Sequence, residues 1–312
     1  MKGPGRPLLE RFLPFSTLLA IFLCLAVASP HFLRTDNLSN VSRQTSVINI
    51  MALGMTLVMI AGGIDLSVGS QLAFCSLAGT MALERGASIP VAIALAVAAG
   101  TGLGACNGLL IVGLRISPFI VTLGTLGVFR GLTLILSRGL PVVNIPPSFS
   151  VVGEGNLSSV PVPLLILGSA ALMIHLLLRH SLLGRNAYAM GGNREAARLA
   201  GIPLGRYTIA VYAVAGMLTG LASMIEASRL MTGQPTAGEG YELRTIAAVV
   251  IGGGSLHGGE GSVAGTLIGA FIMGLLSNGA NLLGVSPFWQ QVLIGAVIIA
   301  AVSLDEWRKR RA

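Results

Sequence analysis

The chain has 312 residues, of which 53% are hydrophobic and only 10% charged, with a mean hydropathy of +0.81. Soluble domains carry about 25% charged residues, so a water-soluble globular protein is excluded and an all-α polytopic membrane protein is expected. The net charge of +8 does not point to nucleic acid, because the basic residues stand singly between apolar runs or cluster at loops and the tail, as membrane topology requires.

After a basic start (Lys2, Arg6, Arg11), the first apolar run covers residues 14–32. It is longer than a signal-peptide core and lacks a small-residue cleavage site, so it reads as a retained span. Further runs follow at 45–61, 66–83, 89–114, 117–136, 160–178, 207–227, 262–283 and 285–304. Each approaches the length of about 20 residues that a spanning helix needs. Cys24, Cys75 and Cys106 fall inside these runs without metal-ligand spacing and read as small packed hydrophobes.

Between the runs at 207–227 and 262–283 lies LRTIAAVVI (243–251), which as a helix covers only about 14 Å. Charge decides whether it crosses. If it does, Lys2, Arg6, Arg11, Arg115, the five arginines of 179–206 and the tail cluster 308–311 share one side, against Arg34, Arg43, Arg85, Arg138, Arg229 and Arg244 on the other. The positive-inside rule then places both termini and residues 179–206 in the cytoplasm. Without that crossing the tail WRKRR would lie outside. The expectation is therefore about ten transmembrane helices, one of them broken near residues 243–261 and completed by its glycine stretch. Such a break is tolerated only where protein or a water-filled cavity surrounds it.

Glycine recurs inside the spans, as in GTGLGACNG (100–108) and GTLGVFRG (124–131), where small residues predict close helix packing. The stretch 138–160, with Pro141, Pro146, Pro147, Gly153 and Gly155, reads as irregular and exposed. GGIDLSVG (62–69) and GGGSLHGG (252–259) share a GGxxLxxG pattern. Both fall on the cytoplasmic side of this topology, so they are not halves of an inverted repeat.

The longest polar interruption is 179–206. Within it Asn193 is an N-cap candidate, Glu195 sits in the first turn, Arg198 follows three residues later, and Gly201 and Pro203 end a helix of about two turns. So short a helix is not stable alone in water. It is either a docking element for another protein or a connecting loop with one helical turn.

The sequence has no phosphate-binding GxxxxGK[ST] loop, its only lysines are Lys2 and Lys309, and its four histidines lack metal or hydrolase spacing. An enzyme is not expected. A carboxylate at membrane depth costs about 2.5–3.5 kcal/mol, so Asp65 needs a role, either capping a helix that starts near Leu66 or facing a pathway. Arg130, inside a span, needs a carbonyl or carboxylate partner and is either structural or substrate-facing. Glu226 reads as an interfacial charge or as a contact for an external partner.

AGGIDLSVGS (61–70), TLGTLGVFRG (122–131), GGNREAARLAGI (191–202), YELRTIAAVVIGGGSLHGGEGSVAGTLIGA (241–270) and NLLGVSPFWQQVLIGAV (281–297) together resemble the ribose-type permeases, the integral membrane subunits of ABC importers for monosaccharides. The resemblance implies a single transmembrane domain over 1–312, like that of the type II ABC importers, in the bacterial inner membrane. It also implies a second permease subunit, identical or paralogous, cytoplasmic ATPase subunits that use ATP and Mg, and an external sugar-binding protein. No cofactor or metal is implied for this chain.

In that setting Gly191, Gly192, Asn193, Glu195, Ala196, Ala197, Gly201 and Ile202 look like the coupling helix that docks in a cleft of the ATPase. Ala196, Ala197 and Gly201 permit close approach and Glu195 pairs with a basic residue of the partner. Gly62, Gly63, Asp65, Ser67, Gly69, Arg130, Gly252, Gly253 and Ser255 are the pathway or structural-motif candidates. The alternative is a secondary sugar transporter driven by an ion gradient, with Asp65 and Glu226 as carriers. Aromatic residues make up only 5% of the chain, so few rings are offered for stacking on a sugar.

Overall fold

A computed structural model describes residues 8–309, so the charges at Lys2, Arg6, Arg310 and Arg311 lie outside the described residues. The helices in order are α1 (Leu8–Ala28), α2 (Thr35–Ile60), α3 (Val68–Glu84), α4 (Ile89–Leu114), α5 (Pro118–Ser137), α6 (Ser150–Glu154), α7 (Val162–His180), α8 (Leu182–Gly192), α9 (Arg194–Leu199), α10 (Leu204–Leu230), α11 (Tyr241–Ile251), α12 (Val263–Leu282) and α13 (Pro287–Lys309). One small antiparallel hairpin pairs Asn156–Leu157 with Val160–Pro161. Among the described residues six helices, α2, α4, α5, α7, α10 and α12, are long and apolar enough to cross a membrane. The protein is an all-helical polytopic membrane protein.

The bundle is built around α2, in which every residue from Thr45 to Ile60 is buried. A helix covered on all sides belongs at the centre of its domain. α10 packs against both α2 and α4, and here glycine sets the distance. A methyl group on Gly100, Gly104 or Gly108 would collide with the backbone of Gly216, Tyr212 or Ile209, and one on Gly220 with that of Ala96. This is the close backbone approach that small residues allow in a membrane. The α5 glycines behave differently: a Cβ on Gly124, Gly127 or Gly131 would meet nothing within 4 Å, so among the described residues nothing makes the close packing expected of them.

The stretch 138–160 is mostly exposed, as its prolines and glycines predict, but it carries one ordered, buried turn. Pro147–Phe149 forms a 3-10 turn leading into α6, and Phe149 is fully buried with Cys75 and Met224. The hydroxyl of Ser228 accepts the N–H of Gly153 at 2.7 Å and donates to the Phe149 carbonyl at 2.5 Å. Burying one large ring outweighs the irregular backbone around it.

α2 and α11 end in the same way. Gly62 (φ +80°) and Gly253 (φ +86°) adopt the left-handed conformation. The N–H of Gly62 bonds Met59 O and that of Gly63 bonds Val58 O, while Gly253 bonds Val250 O and Gly254 bonds Val249 O. These are Schellman closures. Residues 252–261 therefore turn away and do not prolong α11. The non-helical stretch beside α11 instead precedes it: 231–240 runs along α3, with Gly233 against Thr80 and Gly238 against Gly69, and Val142 bridges Gly233. Pro235, together with Gly238 (φ +73°) and Gly240 (φ +77°), keeps this strap out of the helix.

Candidate functional site: a glycine junction beneath a short exposed helix

α9 forms because its ends are satisfied locally. Asn193, in extended conformation, accepts the N–H of Ala196 on Oδ1 at 2.9 Å, a side-chain N-cap. At the other end Gly201 (φ +81°) bonds Arg198 O and Ile202 bonds Ala197 O. Arg198 Nε donates to Glu195 Oε2 at 3.1 Å, and this neighbour holds the Glu195 carboxyl below its ordinary range. Both side chains are exposed, so the pair sets geometry more than stability.

Glu195, Ala196, Arg198 and Gly201 face outward. Ala197 does not: it is 4% exposed and packs on the chain itself. Leu199 is 75% exposed. Sequence reasoning passed over it, although an apolar residue ending a polar two-turn helix is a visible signal.

α8 is a second helix within 179–206, beyond the two turns the sequence predicts. Ser181 caps it by accepting the N–H of Gly184 at 3.1 Å. Its far end meets the membrane helices in a junction of three glycine-bearing segments. Gly191 lies against the Ile60 carbonyl and the backbone of Gly259, and a Cβ on Gly258 would stand 2.9 Å from the Cα atoms of both Gly191 and Gly62. The N–H of Gly259 donates to Ile60 O at 3.0 Å, and Tyr188 Oη donates to Gly261 O at 2.7 Å. The two GGxxLxxG segments thus touch each other, with Gly191 and Gly192 beside them. Tyr188, Gly258, Gly259 and Gly261 complete a cluster of which the sequence identified only part.

Beside the junction, the α2–α3 turn is held by uncharged partners. Tyr212 Oη and Thr122 Oγ1 each donate to Ile64 O at 3.1 Å, and a Cβ on Gly63 would stand 2.6 Å from Tyr212 Oη. Asp65 is fully buried. It accepts the Ser67 N–H at 2.9 Å, the Ser67 hydroxyl at 2.6 Å and Gln71 Nε2 at 3.0 Å, and Asn107 Nδ2 donates to Ser67 Oγ at 2.8 Å. Asp65 therefore closes an Asx turn into α3. Ser255, also buried, repeats the device by accepting the His257 N–H at 3.1 Å. Gly252 packs against Gly265 and Thr266 and stays apart from Asp65.

Arg130 belongs to a second place. Its Nη1 donates to Pro235 O at 2.6 Å and to Ala237 O at 3.0 Å, so α5 pins the strap 231–240. Gly69 joins this region, since its Cα faces Gly238 and a Cβ there would stand 2.7 Å from Glu242 Oε2. Glu226 is not open to an external partner. It is 7% exposed, accepts Tyr241 Oη at 2.8 Å and pairs with Arg229 at 3.3 Å. Among the described residues no cluster of His, Cys, Asp and Glu could hold a metal.

The comparisons agree with a transport role. A family model described as "Branched-chain amino acid transport system / permease component" matches residues 37–302. The ribose import permease protein of Bacillus subtilis strain 168 is 44% identical over 306 residues, covering 97% of this chain and 94% of the relative. That of Escherichia coli K12 is 44% identical over 292 residues, 92% and 91% of the two chains. The D-allose transport system permease protein of Escherichia coli K12 is 36% identical over 291 residues, 92% and 89%. No solved structure matches. The chain belongs to this family of transport-system permease components, among the ribose-type permeases.

Proposed function

We propose that the chain is the membrane-spanning permease subunit of an ABC importer for a monosaccharide, forming the translocation pathway and coupling it to a separate ATPase. The observation that carries the coupling role is the exposed helix α9 standing, through α8, on a backbone-to-backbone junction with the ends of α2 and the α11–α12 loop. A force on α9 reaches the buried central helix through contacts that have almost no side chain to yield. Relatives named for ribose, allose and arabinose favour a neutral pentose or hexose as cargo.

On this reading α1, α3, α11 and α13 join the six long helices to give ten spans, α11 and the strap 231–240 together making a broken one. The arginines of 179–206 then place α9 with both termini in the cytoplasm of a bacterial inner membrane. ATP and Mg belong to the ATPase, selectivity to an external binding protein, and a second permease subunit closes the pathway. The test is uptake of labelled ribose, arabinose and allose into vesicles carrying this chain, the ATPase and the binding protein, with ion gradients collapsed. Uptake that needs ATP and all three components supports the importer. Uptake by this chain alone that vanishes with the gradient overturns it.

A further inference from the structure

The strap and the first turn of α11 put polar groups where a membrane protein rarely tolerates them. Arg130 stands seven residues before the end of α5, about 10 Å along the helix at 1.5 Å per residue. Gly69, against which Gly238 and the Glu242 carboxylate lie, is the second residue of α3, about 22 Å from that helix's far end. The patch between them falls inside a hydrocarbon core of about 30 Å. Yet Thr236 and Glu239 are exposed there, and Gln234, Glu242 and Arg130 are partly so.

Two independent rules exclude lipid from this face. Charged side chains at that depth face protein or water, and non-helical backbone is accepted only where it is covered or lines an aqueous space. The arrangement also has a direction. Arg130 directs Nη1 at the carbonyls of Pro235 and Ala237, and contact between Gly69 and Gly238 holds the strap's other edge against α3. What remains for the outside are the carboxylates of Glu239 and Glu242, within electrostatic reach of Arg130, and the side chains of Gln234 and Thr236. On α5 Gly127, one turn before Arg130, is exposed and meets nothing, so no side chain there obstructs the approach.

We infer that this face, Arg130 with Gln234, Thr236, Glu239 and Glu242, is the wall of the pathway that the sugar touches in passing. Carboxylates accept from sugar hydroxyls, while the amide and the threonine hydroxyl both donate and accept. Such contacts exchange readily with water, as a transient path requires. Two carboxylates against one guanidinium leave a net negative wall, which admits neutral polyhydroxylated solutes and repels phosphorylated ones. The inference rests on the importer reading and gives it an address distinct from the junction under α9.

The test uses the whole transporter in vesicles, with Cys24→Ser, Cys75→Ala and Cys106→Ser in this chain. Thr236→Cys and Glu239→Cys are placed in that background, and Val128→Cys, exposed and apolar on the far side of α5, serves as control. A charged water-soluble thiol reagent is expected to modify the first two at least tenfold faster than the control and to block uptake in proportion. Reaction as slow as at Val128→Cys in every nucleotide state means that lipid or a second subunit covers the face, and overturns the inference. So does full modification without loss of uptake. If the cysteine-free parent is inactive, Glu239→Gln and Thr236→Val in the native chain decide: uptake at least fivefold slower supports the wall, and unaltered uptake in both removes it. Uptake by the native chain that needs neither ATP nor the binding protein would bring down the importer reading itself.

Discussion

Gly191 rests its Cα on the carbonyl of Ile60, the oxygen that also accepts the N–H of Gly259. One acceptor at the last turn of α2 therefore holds together the end of α8 and the α11–α12 loop. A methyl group at Gly191 would meet backbone on both sides, with no flexible side chain to move away, whereas Gly192 has open space. We expect Gly191→Ala to force a backbone shift costing about 1–3 kcal/mol and to abolish the rise in ATP hydrolysis that the loaded binding protein triggers. Gly192→Ala should be near normal. Equal behaviour of the two variants in reconstituted ATPase assays would show that the junction transmits nothing.

The hydroxyl of Tyr188 ties α8 to Gly261 across the same junction. Removing it in Tyr188→Phe leaves a carbonyl without its donor, about 1 kcal/mol on the usual scale for a neutral hydrogen bond. That is too little to unfold the subunit. We expect an unchanged amount of assembled complex but at least a threefold rise in ATP consumed per sugar imported. A constant ratio of the two rates would restrict Tyr188 to packing.

Arg130 bonds two carbonyls of the strap, Pro235 O and Ala237 O. Hydrogen bonds to a charged donor are worth about 1.5–3 kcal/mol each, so Arg130→Ala should release the strap and reduce uptake at least tenfold while the subunit still inserts. Arg130→Lys keeps the charge with a single point donor and should recover part of the rate. Uptake in Arg130→Ala equal to wild type would contradict the pinning role.

How much of this was legible beforehand follows from where the signals are local. The ends of α9 were readable because Asn193 and Gly201 act on their own neighbours, and the glycines of α4 because a regular spacing marks a packed face. The burial of Ala197 and the exposure of Leu199 do not show in the pattern, since a two-turn helix is too short for periodicity to mark which face turns inward. The irregular stretch was placed after α11 and not before it. Glycine count drew attention to 252–261, whereas the strap depends on Arg130, more than a hundred positions away in the chain, for its hold. Phe149 hid for a similar reason: its partners Cys75 and Met224 come from other spans.

α9 offers a pH test. The Arg198 guanidinium beside Glu195 keeps that carboxyl below its ordinary value, so whatever the ionised pair contributes is complete above the unfolded value of about 4.3. It is lost only as pH falls through the lower folded value. Between pH 5.5 and 8 coupling should show no titration from Glu195, and Glu195→Gln should leave the shape of the profile unaltered. Leu199→Asp, which replaces the exposed apolar end of the helix with a charge, should cut co-purification of the ATPase at least tenfold. Co-purification at the wild-type level would exclude Leu199 from the docking surface.

Asp65 separates the two modes of transport. Its partners, Ser67 and Gln71, are donors without charge, and the buried Oε1 of Gln71 has no hydrogen-bond partner. In Asp65→Asn the new amide can still accept from Ser67, and a turned Gln71 amide can accept from the new NH₂. The Asx turn into α3 then survives at a cost of about 1 kcal/mol. Asp65→Leu removes the carboxylate acceptors, leaves the Ser67 donors and one Gln71 N–H buried without partners while Gln71 keeps only its bond to Ser67 Oγ, and should cost about 3 kcal/mol or more. We therefore expect Asp65→Asn to retain most ATP-driven uptake with the ion gradient collapsed, and Asp65→Leu to lower the yield of folded subunit in the membrane. A carrier that must take up and release an ion at this carboxylate would instead be silenced by the amide while remaining folded. Loss of transport in Asp65→Asn at normal membrane abundance would argue for gradient-driven transport.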